Sequence, residues 1–319
     1  MPLRVTDIRE QPDGLLVQRP VPPRANLVLL LIPAVFLLLW SGGYAVAKVG
    51  LRHADPLTFL ALRYASALLL LLPAAVIFWP PFPRTAHEWG QVALIGLLIQ
   101  GGYFVLSYLA LSCGVSAGAV ALIVSMQPVL VGLLAPSIAA ETVGARRWLG
   151  LLIGLAGAAL VIYGRSRIEA TSVLGLALAI GALGFMSLAT LLEKRFALAV
   201  HPISSNLVQY TAGLAFVFPL AWSMEPMHVE WTPEFLLALA YLVIGNSIIA
   251  ITLLLAMIRA GEASRVSALL FLVPPMAALI AWVLVGEKMP ALAWVGMLIA
   301  AAGVALAAMP GKPDRLRTT

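Results

Sequence analysis

Long apolar runs, separated by short polar or proline-rich stretches, make up most of this chain. A helix needs about 20 apolar residues to cross the hydrocarbon core of a bilayer. Because lipid cannot satisfy backbone polar groups, runs of this length predict transmembrane helices. Breaks such as Trp79-Pro80-Pro81 and Glu225-Pro226 mark where runs end. The pattern predicts ten spans, over residues 27–47, 56–79, 89–110, 116–138, 147–164, 172–192, 203–224, 234–257, 265–285 and 291–308.

The chain repeats itself at a fixed offset of 146 residues, as from Pro56 to Pro202. The other equivalent pairs are Tyr64/Tyr210, Pro73/Pro219, Ala110/Ala256, Pro128/Pro274, Glu141/Glu287, Trp148/Trp294, Gly150/Gly296 and Gly157/Gly303. Five spans per repeat predict that the second half enters the membrane upside down, as in transporters whose binding site lies between inverted repeats. The predicted fold is therefore an all-α membrane protein of ten helices around a central cavity. It comprises a cytosolic tail (1–26), a first repeat (27–164), a second repeat (172–308) and a second cytosolic tail (309–319).

Composition and charge support a membrane protein. The chain is 62% hydrophobic and 11% charged, whereas soluble domains carry roughly 25% charged residues. A net charge of +6 would also suit nucleic acid, but the basic residues lie in short loops between apolar runs, so we expect no such partner. One side of the membrane receives only Lys48, Arg52, Arg165, Arg167 and Lys288. The excess on the other side predicts that both termini lie in the cytoplasm.

Three aromatic side chains in the first predicted span share one face. Phe36, Trp40 and Tyr44 follow one another at intervals of four, which places them together on a helix. Trp40 lies about 13 residues into its span, roughly 20 Å along the axis, and is therefore deeper than interfacial tryptophans. We predict that Trp40 and Tyr44 form a wall against which a flat apolar ligand stacks. Packing between helices is the alternative.

A polar stripe runs along the third predicted span. Gln100, Tyr103 and Ser107 fall at positions i, i+3 and i+7 of an otherwise apolar helix. Polar groups that face lipid are costly, so the stripe is expected to face protein or a cavity. The repeat places Asn246 at the position equivalent to Gln100, and we predict that these two amides face each other across the cavity and bind substrate. Hydrogen bonding between helices is the alternative.

Arg63 is the clear charge inside a predicted span. Intramembrane charges usually have a function, so Arg63 is a candidate for binding anionic groups of a substrate. It lies eight residues after Asp55, about 12 Å along a helix, and could instead reach the membrane surface or pair with a loop acid. Its repeat mate is Gln209, so symmetry does not require the charge.

Prolines interrupt two equivalent spans near their middles. Pro128 and Pro274 each remove one helical hydrogen bond, and Pro275 doubles the break in the second half. The carbonyl groups that they free, those of Val124 and Leu270, are tolerated where they line a cavity or find a neighbour. We predict that the three prolines act as hinges for alternating access. A static kink is the alternative.

Small residues recur at helical spacing in the last span of each half. Gly150-x-x-x-Gly154 and Gly296-x-x-x-Ala300 occupy equivalent positions and allow helices to approach closely. They predict packing seams, with a dimer surface as the alternative, and leave both a monomer and a homodimer open. One cysteine and the lack of nucleotide, zinc and redox motifs predict no cofactor and no metal site.

Several motif strings resemble a known family. The halves contain Pro128…Glu141…Trp148-Leu149-Gly150…Gly157 and Pro274…Glu287…Trp294-Val295-Gly296…Gly303, and the first span contains Trp40-Ser41-Gly42-Gly43-Tyr44 followed by Lys48. This arrangement resembles the EamA-type branch of the bacterial drug/metabolite transporter superfamily, and within it the aromatic amino acid exporters most. The resemblance covers residues 27–308. It implies efflux of small metabolites through a central cavity lined by both halves.

The leading hypothesis is a secondary transporter that exports small metabolites, such as aromatic or other neutral amino acids. All acidic and histidine residues lie in tails or near span ends, so we expect weak or no proton coupling.

A broad drug or metabolite exporter, or a nucleotide-sugar carrier, is the alternative within transport. A nucleotide sugar would require several basic residues in the cavity. An intramembrane enzyme would need a catalytic pair at depth, and none is visible. A scaffold without transport would not need kinks and polar stripes inside helices.

Overall fold

The computed structural model describes residues 23–115, 117–139, 143–165, 172–197, 200–260, 268–273, 276 and 291–308. Every named element in these ranges is a helix, and one isolated antiparallel bridge joins Ala54 to Val229. The predicted all-α class is therefore confirmed. Six helical rods in these ranges are long and apolar enough to cross a membrane: Leu31–Gly50, Pro56–Phe78, Ala86–Ser112, Val173–Phe196, Pro202–Met224 and Pro233–Arg259. Most of the predicted span 265–285 lies outside the described residues.

The helices are labelled in chain order. The first half contains α1 (Pro23–Gly50), α2 (Pro56–Phe78), α3 (Ala86–Gly96), the π-helical segment π1 (Leu97–Phe104), α4 (Val105–Ser112), α5 (Ala117–Ser125), α6 (Gln127–Ile138) and α7 (Ala145–Arg165). The second half contains α8 (Val173–Phe196), α9 (Pro202–Met224), α10 (Pro233–Ala240), π2 (Tyr241–Ala250), α11 (Ile251–Ala260), a 3-10 turn (Ala268–Leu272) and α12 (Ala291–Ala308).

Equivalent elements of the two halves share local structure. α2 and α9 are both 23 residues long and both begin with a proline. Proline suits the first turn because the N–H that it lacks would have no partner within the helix. A π-helical segment interrupts the third rod of each half, π1 in one and π2 in the other. Such segments are rare and occur frequently at functional sites.

α7 and α12 pack through small residues on both helices. A Cβ atom added to Gly157 would collide with the backbone of Ala300, and one added to Gly150 would collide with the backbone of Ala307. The early part of α7 therefore contacts the late part of α12, so the two helices run antiparallel. The small-residue stripes thus form a seam inside the chain.

α2 and α9 also run in opposite directions. The rings of Tyr64 and its repeat mate Tyr210 lie 5.6 Å apart, centroid to centroid. The first turn of α2 meets Glu225, the residue that follows the last residue of α9. The Glu225 carboxylate accepts hydrogen bonds from the backbone N–H groups of Leu57 and Thr58, each at 2.8 Å. A carboxylate at a helix N-terminus is favourable because the helix dipole is positive there.

The fourth predicted span, 116–138, is two helices instead of one. α5 ends at Ser125 and α6 begins at Gln127, with Met126 in a turn between them. Pro128 lies in the first turn of α6 and has no N–H to donate to the carbonyl of Val124. The missing hydrogen bond explains why the helix breaks at this point.

Candidate functional site

Arg63 on α2 is fully buried and binds groups from both halves of the chain. Its Nε donates to the hydroxyl of Ser247 at 2.6 Å, and Nη2 donates to Oδ1 of Asn246 at 3.0 Å. Its Nη1 donates to the hydroxyl of Tyr108 at 3.2 Å. The ring of Phe104 faces the guanidinium, with its centroid 4.1 Å from Cζ, a geometry that attracts a cation.

The Arg63 guanidinium has donor capacity left over. A guanidinium carries five N–H donors, and the three contacts above each use a different nitrogen. Within the described ranges no carboxylate lies within ion-pair distance of Arg63, although a buried charge is costly unless it is paired. The arrangement suits a carboxylate, because its two oxygens match the planar donor fork of arginine.

Two tyrosines hold the π-helical segments beside Arg63. The hydroxyl of Tyr64 donates to the backbone carbonyl of Gln100 in π1 at 2.8 Å. The hydroxyl of Tyr210 donates to the backbone carbonyl of Ser247 in π2 at 2.7 Å. The two tyrosines are equivalent in the repeat, whereas the acceptor Ser247 lies one position after the repeat mate of Gln100. The two hydrogen bonds fix each π-helical segment against the second helix of its own half, and so position the partners of Arg63.

An aromatic wall lies near Arg63 and lines the same cavity. The ring of Trp40 on α1 stacks almost parallel to that of Tyr103 on π1, with 6.1 Å between centroids and 11° between planes. The hydroxyls of Tyr44 and Tyr103 share a hydrogen bond of 2.8 Å. Phe36 packs on the other side of Trp40, with 5.4 Å between ring centroids. The predicted aromatic face of α1 therefore contacts the third rod.

A small cavity of about 20 Å³ lies between Arg63 and the aromatic wall. This space has room for about one water molecule, so an amino acid could enter only if the helices moved apart. The hydroxyl of Ser107 borders it and has no hydrogen-bond partner among the described residues. The lining residues are Trp40, Gly43, Tyr44, Ala47, Arg63, Tyr103, Phe104, Ser107, Tyr108, Leu111, Leu242 and Asn246.

Most of the predicted binding residues come together at this cavity, but Gln100 does not. Trp40, Tyr44, Arg63, Tyr103, Ser107 and Asn246 border the cavity, and their binding of substrate stays a prediction. Gln100 is buried against Gly213 on α9 and lies beside the Tyr210 hydroxyl without a hydrogen bond of ordinary geometry. Gln100 is therefore not among the described residues that border the cavity, and the expectation that it faces Asn246 across the cavity stays a prediction. That expectation assumed α-helical spacing, and π1 changes the angular position of successive residues.

The predicted hinge prolines are described only in part. Pro128 lies in the first turn of α6, beside the break at Met126. The neighbouring Gln127 donates from Nε2 to the hydroxyl of Thr190 on α8 at 2.8 Å, which links α6 to the second half. Pro274 and Pro275 lie outside the described residues. The hinge role of all three prolines stays a prediction.

Sequence reasoning did not single out three of the four groups that surround Arg63. Tyr108, Ser247 and Phe104 are adjacent in sequence or one turn away from predicted residues, so their neighbourhood gave a weak signal. Their contacts with Arg63 depend on how closely α2 approaches π2 and α4. That distance is a property of tertiary packing, which the hydrophobic pattern does not determine.

A larger cavity of about 760 Å³ lies elsewhere, between α2 and α9. Threonines 58 and 211 supply its polar side chains, and the exposed Phe218 and Trp231 border it. Its described lining contains no charged group, so those residues offer a polar ligand no charged partner for a carboxylate or an amine. The Arg63 cavity is the better candidate site despite its smaller volume, because several polar groups converge on it.

Comparison with known proteins identifies the family. The sequence profile described as the EamA-like transporter family matches residues 26–163 and 173–309. The chain belongs to the EamA-like transporter family. A solved crystal structure superposes on it with a TM-score of 0.73 at 21% sequence identity, covering 87% of this chain and 96% of that one, and so shows the same fold.

Other members of the EamA-like family are named as transporters. The uncharacterized transporter YvbV of Bacillus subtilis is 25% identical over 294 residues, covering 92% of this chain and 95% of that protein. The uncharacterized inner membrane transporter YedA of Escherichia coli K12 is 24% identical, and the match covers 91% of this chain and 96% of YedA. A "Probable amino-acid metabolite efflux pump" of Salmonella typhimurium is 24% identical, and the match covers 84% of this chain and 90% of that protein.

Membership of the EamA-like family confirms the predicted class of protein. The chain is a multi-pass membrane protein that transports a small molecule, and its relatives are named as transporters instead of enzymes. The predicted family is also confirmed. The relatives do not identify the substrate.

Proposed function

We propose that this EamA-like protein exports neutral amino acids, aromatic ones among them, across the bacterial inner membrane by alternating access. The substrate carboxylate binds Arg63, and the apolar side chain of the substrate packs on the wall formed by Trp40, Tyr44 and Tyr103. The observation that carries this proposal is the environment of the Arg63 side chain. It is a buried cation beside a cavity, with spare donors and no carboxylate partner among the described residues.

The polar groups around Arg63 suit the rest of an amino acid. Hydrogen bonds to charged groups each contribute about 1.5–3 kcal/mol, so a carboxylate held by two N–H donors would anchor the ligand. The oxygens of Tyr108, Ser107 and Tyr44 border the same cavity and can accept hydrogen bonds from an ammonium group. The name of the Salmonella typhimurium relative, an amino-acid metabolite efflux pump, agrees with this substrate class and with export.

The packing supports two inverted five-helix repeats. α2 and α9 are equivalent helices that run antiparallel, and so are α7 and α12. Reciprocal contact of equivalent elements is what a two-fold relationship produces. Helices that occupy the same position in each half but point in opposite directions are expected when the second half is inverted in the membrane. The site then lies between the repeats, because Arg63 belongs to one and Asn246 to the other.

The proposed orientation places both termini in the cytoplasm, as the distribution of Lys and Arg predicts. The turn around His53 and the loop after Glu225 would then face the periplasm. Reporter fusions after residue 319 and within 165–171 would test this orientation. A periplasmic reporter signal from the C-terminal fusion would contradict it.

The cavity supports downhill transport without a proton relay. Its described lining contains no aspartate, glutamate or histidine, and proton-coupled carriers usually keep such groups deep in the membrane. A nucleotide-sugar carrier is disfavoured because Arg63 is the one basic residue in that lining. Two hypotheses compete with amino acid export: a broad metabolite or drug exporter, and a scaffold without transport. The transport assay must distinguish all three.

Counterflow in proteoliposomes tests the proposed function. Vesicles loaded with unlabelled tryptophan should transiently accumulate labelled tryptophan from outside, without any pH gradient, and protein-free vesicles should not. Threonine, phenylalanine and a cationic dye in the same assay would define the substrate class. Counterflow of the dye but of no amino acid would support the broad exporter, and no counterflow at all would support the scaffold.

A further inference from the structure

A chain of aromatic rings leads from the Arg63 cavity to one end of the helix bundle. Tyr108 lines the cavity and packs on Phe59, with 5.7 Å between ring centroids. Phe59 packs on Phe235 at 5.2 Å, and Phe235 packs on Trp231 at 5.6 Å. The first three rings are buried, whereas Trp231 is 60% exposed. The pair of Phe59 and Phe235 joins the first half of the chain to the second.

Polar contacts fasten the two halves together above these rings. The carboxylate of Glu225 accepts from the backbone N–H groups of Leu57 and Thr58 and from the Thr58 hydroxyl, all at 2.8 Å. Asp55 accepts at Oδ2 from the backbone N–H of His228 at 2.9 Å. We call the contacts between residues 53–58 and 225–234 the clasp. Each of these contacts connects segments that are far apart in sequence.

His53 adds two side-chain contacts to the clasp. Its Nδ1 lies 3.2 Å from Oε2 of Glu230, and its Nε2 lies 3.3 Å from Oε2 of Glu234. The hydrogen bond from His53 lowers the pKa of the Glu230 carboxyl, with a smaller contribution from His228. Glu230 therefore stays charged as the pH falls into the ordinary range of carboxyl groups. Exposed contacts of this kind exchange with water at little net cost, so the two His53 contacts add little resistance to opening of the clasp.

We propose that the clasp and the Phe59–Phe235 pair form a gate between the Arg63 cavity and the adjacent membrane face, and that substrate passes this gate on that side. The proposal rests on the function proposed above, because it assigns the exit of the same cavity. Apart from the half-buried Tyr44, the described residues around the cavity are buried, and a ligand that leaves along the ring chain must separate Phe59 from Phe235. That separation must break the clasp, since Phe59 and Phe235 follow directly on the clasp segments of their own helices. A permanent brace between the halves would use the same contacts but would never open.

A reversible cross-link separates a gate from a brace. Ala54 and Val229 form an antiparallel bridge whose flanking hydrogen bonds run from Glu230 N to His53 O and from Asp55 N to His228 O. Residues paired in this way have Cα atoms about 4.5 Å apart, which is within the range of a disulfide. The Ala54→Cys/Val229→Cys double variant, in a Cys113→Ser background, can therefore be locked by oxidation.

Oxidation of the double variant should lower tryptophan counterflow at least about tenfold, and a reductant should restore it. The two single-cysteine variants under the same oxidant are the matched controls and should keep their rates. If the fully cross-linked protein transports as fast as the same variant after reduction of the disulfide, the segments are a brace and the proposal is overturned.

Thiol labelling tests the gate without knowledge of the substrate. Ala47 lines the cavity and is buried, so the thiol of an Ala47→Cys variant of the full-length protein, again with Cys113→Ser, should react slowly with a maleimide. Adding Glu225→Gln should raise that rate about tenfold, because the amide is a weaker acceptor for the α2 N-terminus. Glu88→Gln is the matched control, since its carboxylate accepts a backbone N–H from Arg84 within one half.

The two readouts distinguish failure of the gate from failure of the substrate assignment. Faster labelling with Glu225→Gln but not Glu88→Gln, together with an absence of tryptophan counterflow, would retain the gate and reject the amino acid substrate. An unchanged labelling rate with Glu225→Gln would reject the gate, whatever the vesicles transport.

Discussion

The guanidinium of Arg63 donates from Nε to the hydroxyl of Ser247 at 2.6 Å, across 184 positions of sequence. Arg63 belongs to α2 in the first half and Ser247 to π2 in the second. Any relative motion of the halves must therefore change the surroundings of this charge. A ligand that binds Arg63 interacts differently with the two arrangements, and such a difference in affinity is what a ligand needs to shift a conformational equilibrium.

Replacing Arg63 separates the charge of the site from its geometry. Arg63→Leu should weaken tryptophan binding about 10- to 100-fold, because it removes hydrogen bonds to a charged group. Arg63→Lys should give an intermediate loss, since it keeps the charge but not the planar fork. Equilibrium binding of tryptophan to the purified variants measures both losses of affinity. We expect Arg63→Leu to fold, because it removes a costly buried charge that has no carboxylate partner among the described residues. Normal binding by Arg63→Leu would remove this residue from the site.

Truncating Trp40 tests the aromatic wall. Trp40→Leu should reduce affinity for tryptophan about 2- to 10-fold, the energy of one aromatic contact, and should affect threonine much less. Trp222→Leu is the control, because Trp222 is 72% exposed on α9 and is not among the described residues that line the cavity. Equal losses for tryptophan and threonine would mean that Trp40 only packs between helices.

The seam between α7 and α12 can be tested with two glycines. Gly157→Ala should lower the free energy of unfolding by about 1–3 kcal/mol, because its Cβ would meet the backbone of Ala300. Gly90→Ala on α3 should be neutral or stabilising by about 1 kcal/mol, since no atom lies within 4 Å of the added Cβ and alanine favours a helix. Thermal unfolding in detergent compares them. Equal stability of the two variants would argue against the tight seam.

Pro128→Ala tests the predicted hinge in the first half. Restoring the helical hydrogen bond across Met126 should straighten the α5–α6 break and slow transport about tenfold at equal expression, equivalent to about 1.4 kcal/mol. Pro73→Ala is the control, because Pro73 lies on an exposed part of α2. Transport rates in the vesicle assay are the measurement. An unchanged rate for Pro128→Ala would leave only a static kink.

The sequence predicted features that depend on periodicity and repetition. Within the described ranges, the apolar runs predicted helices at the observed places, and the repeat identified Tyr64 and Tyr210 as equivalent positions, although it did not predict that their rings would be in contact. Arg63 stood out because a charge inside an apolar run is rare. Trp40 and Tyr44 stood out because their spacing and depth set them apart from interfacial aromatic residues.

Features that depend on local departures from α-helical geometry could not be predicted from the sequence. Gln100 in π1 lies against Gly213 and is not among the described residues that line the cavity, although Tyr103 and Ser107 are. The break at Met126 follows from Pro128, but the sequence did not indicate that α5 and α6 would separate. The partners of Arg63 on π2 depend on the distance between two rods from different halves, which no local pattern encodes.

The most direct test of a carboxylate site at Arg63 compares tryptophan with tryptamine, which lacks the carboxylate. Equilibrium binding of both ligands should be measured on the purified wild-type protein and on Arg63→Leu. We predict that the wild type binds tryptophan at least about tenfold more tightly than tryptamine, and that Arg63→Leu loses this preference. Equal wild-type affinities, or a preference that survives the substitution, would contradict the account.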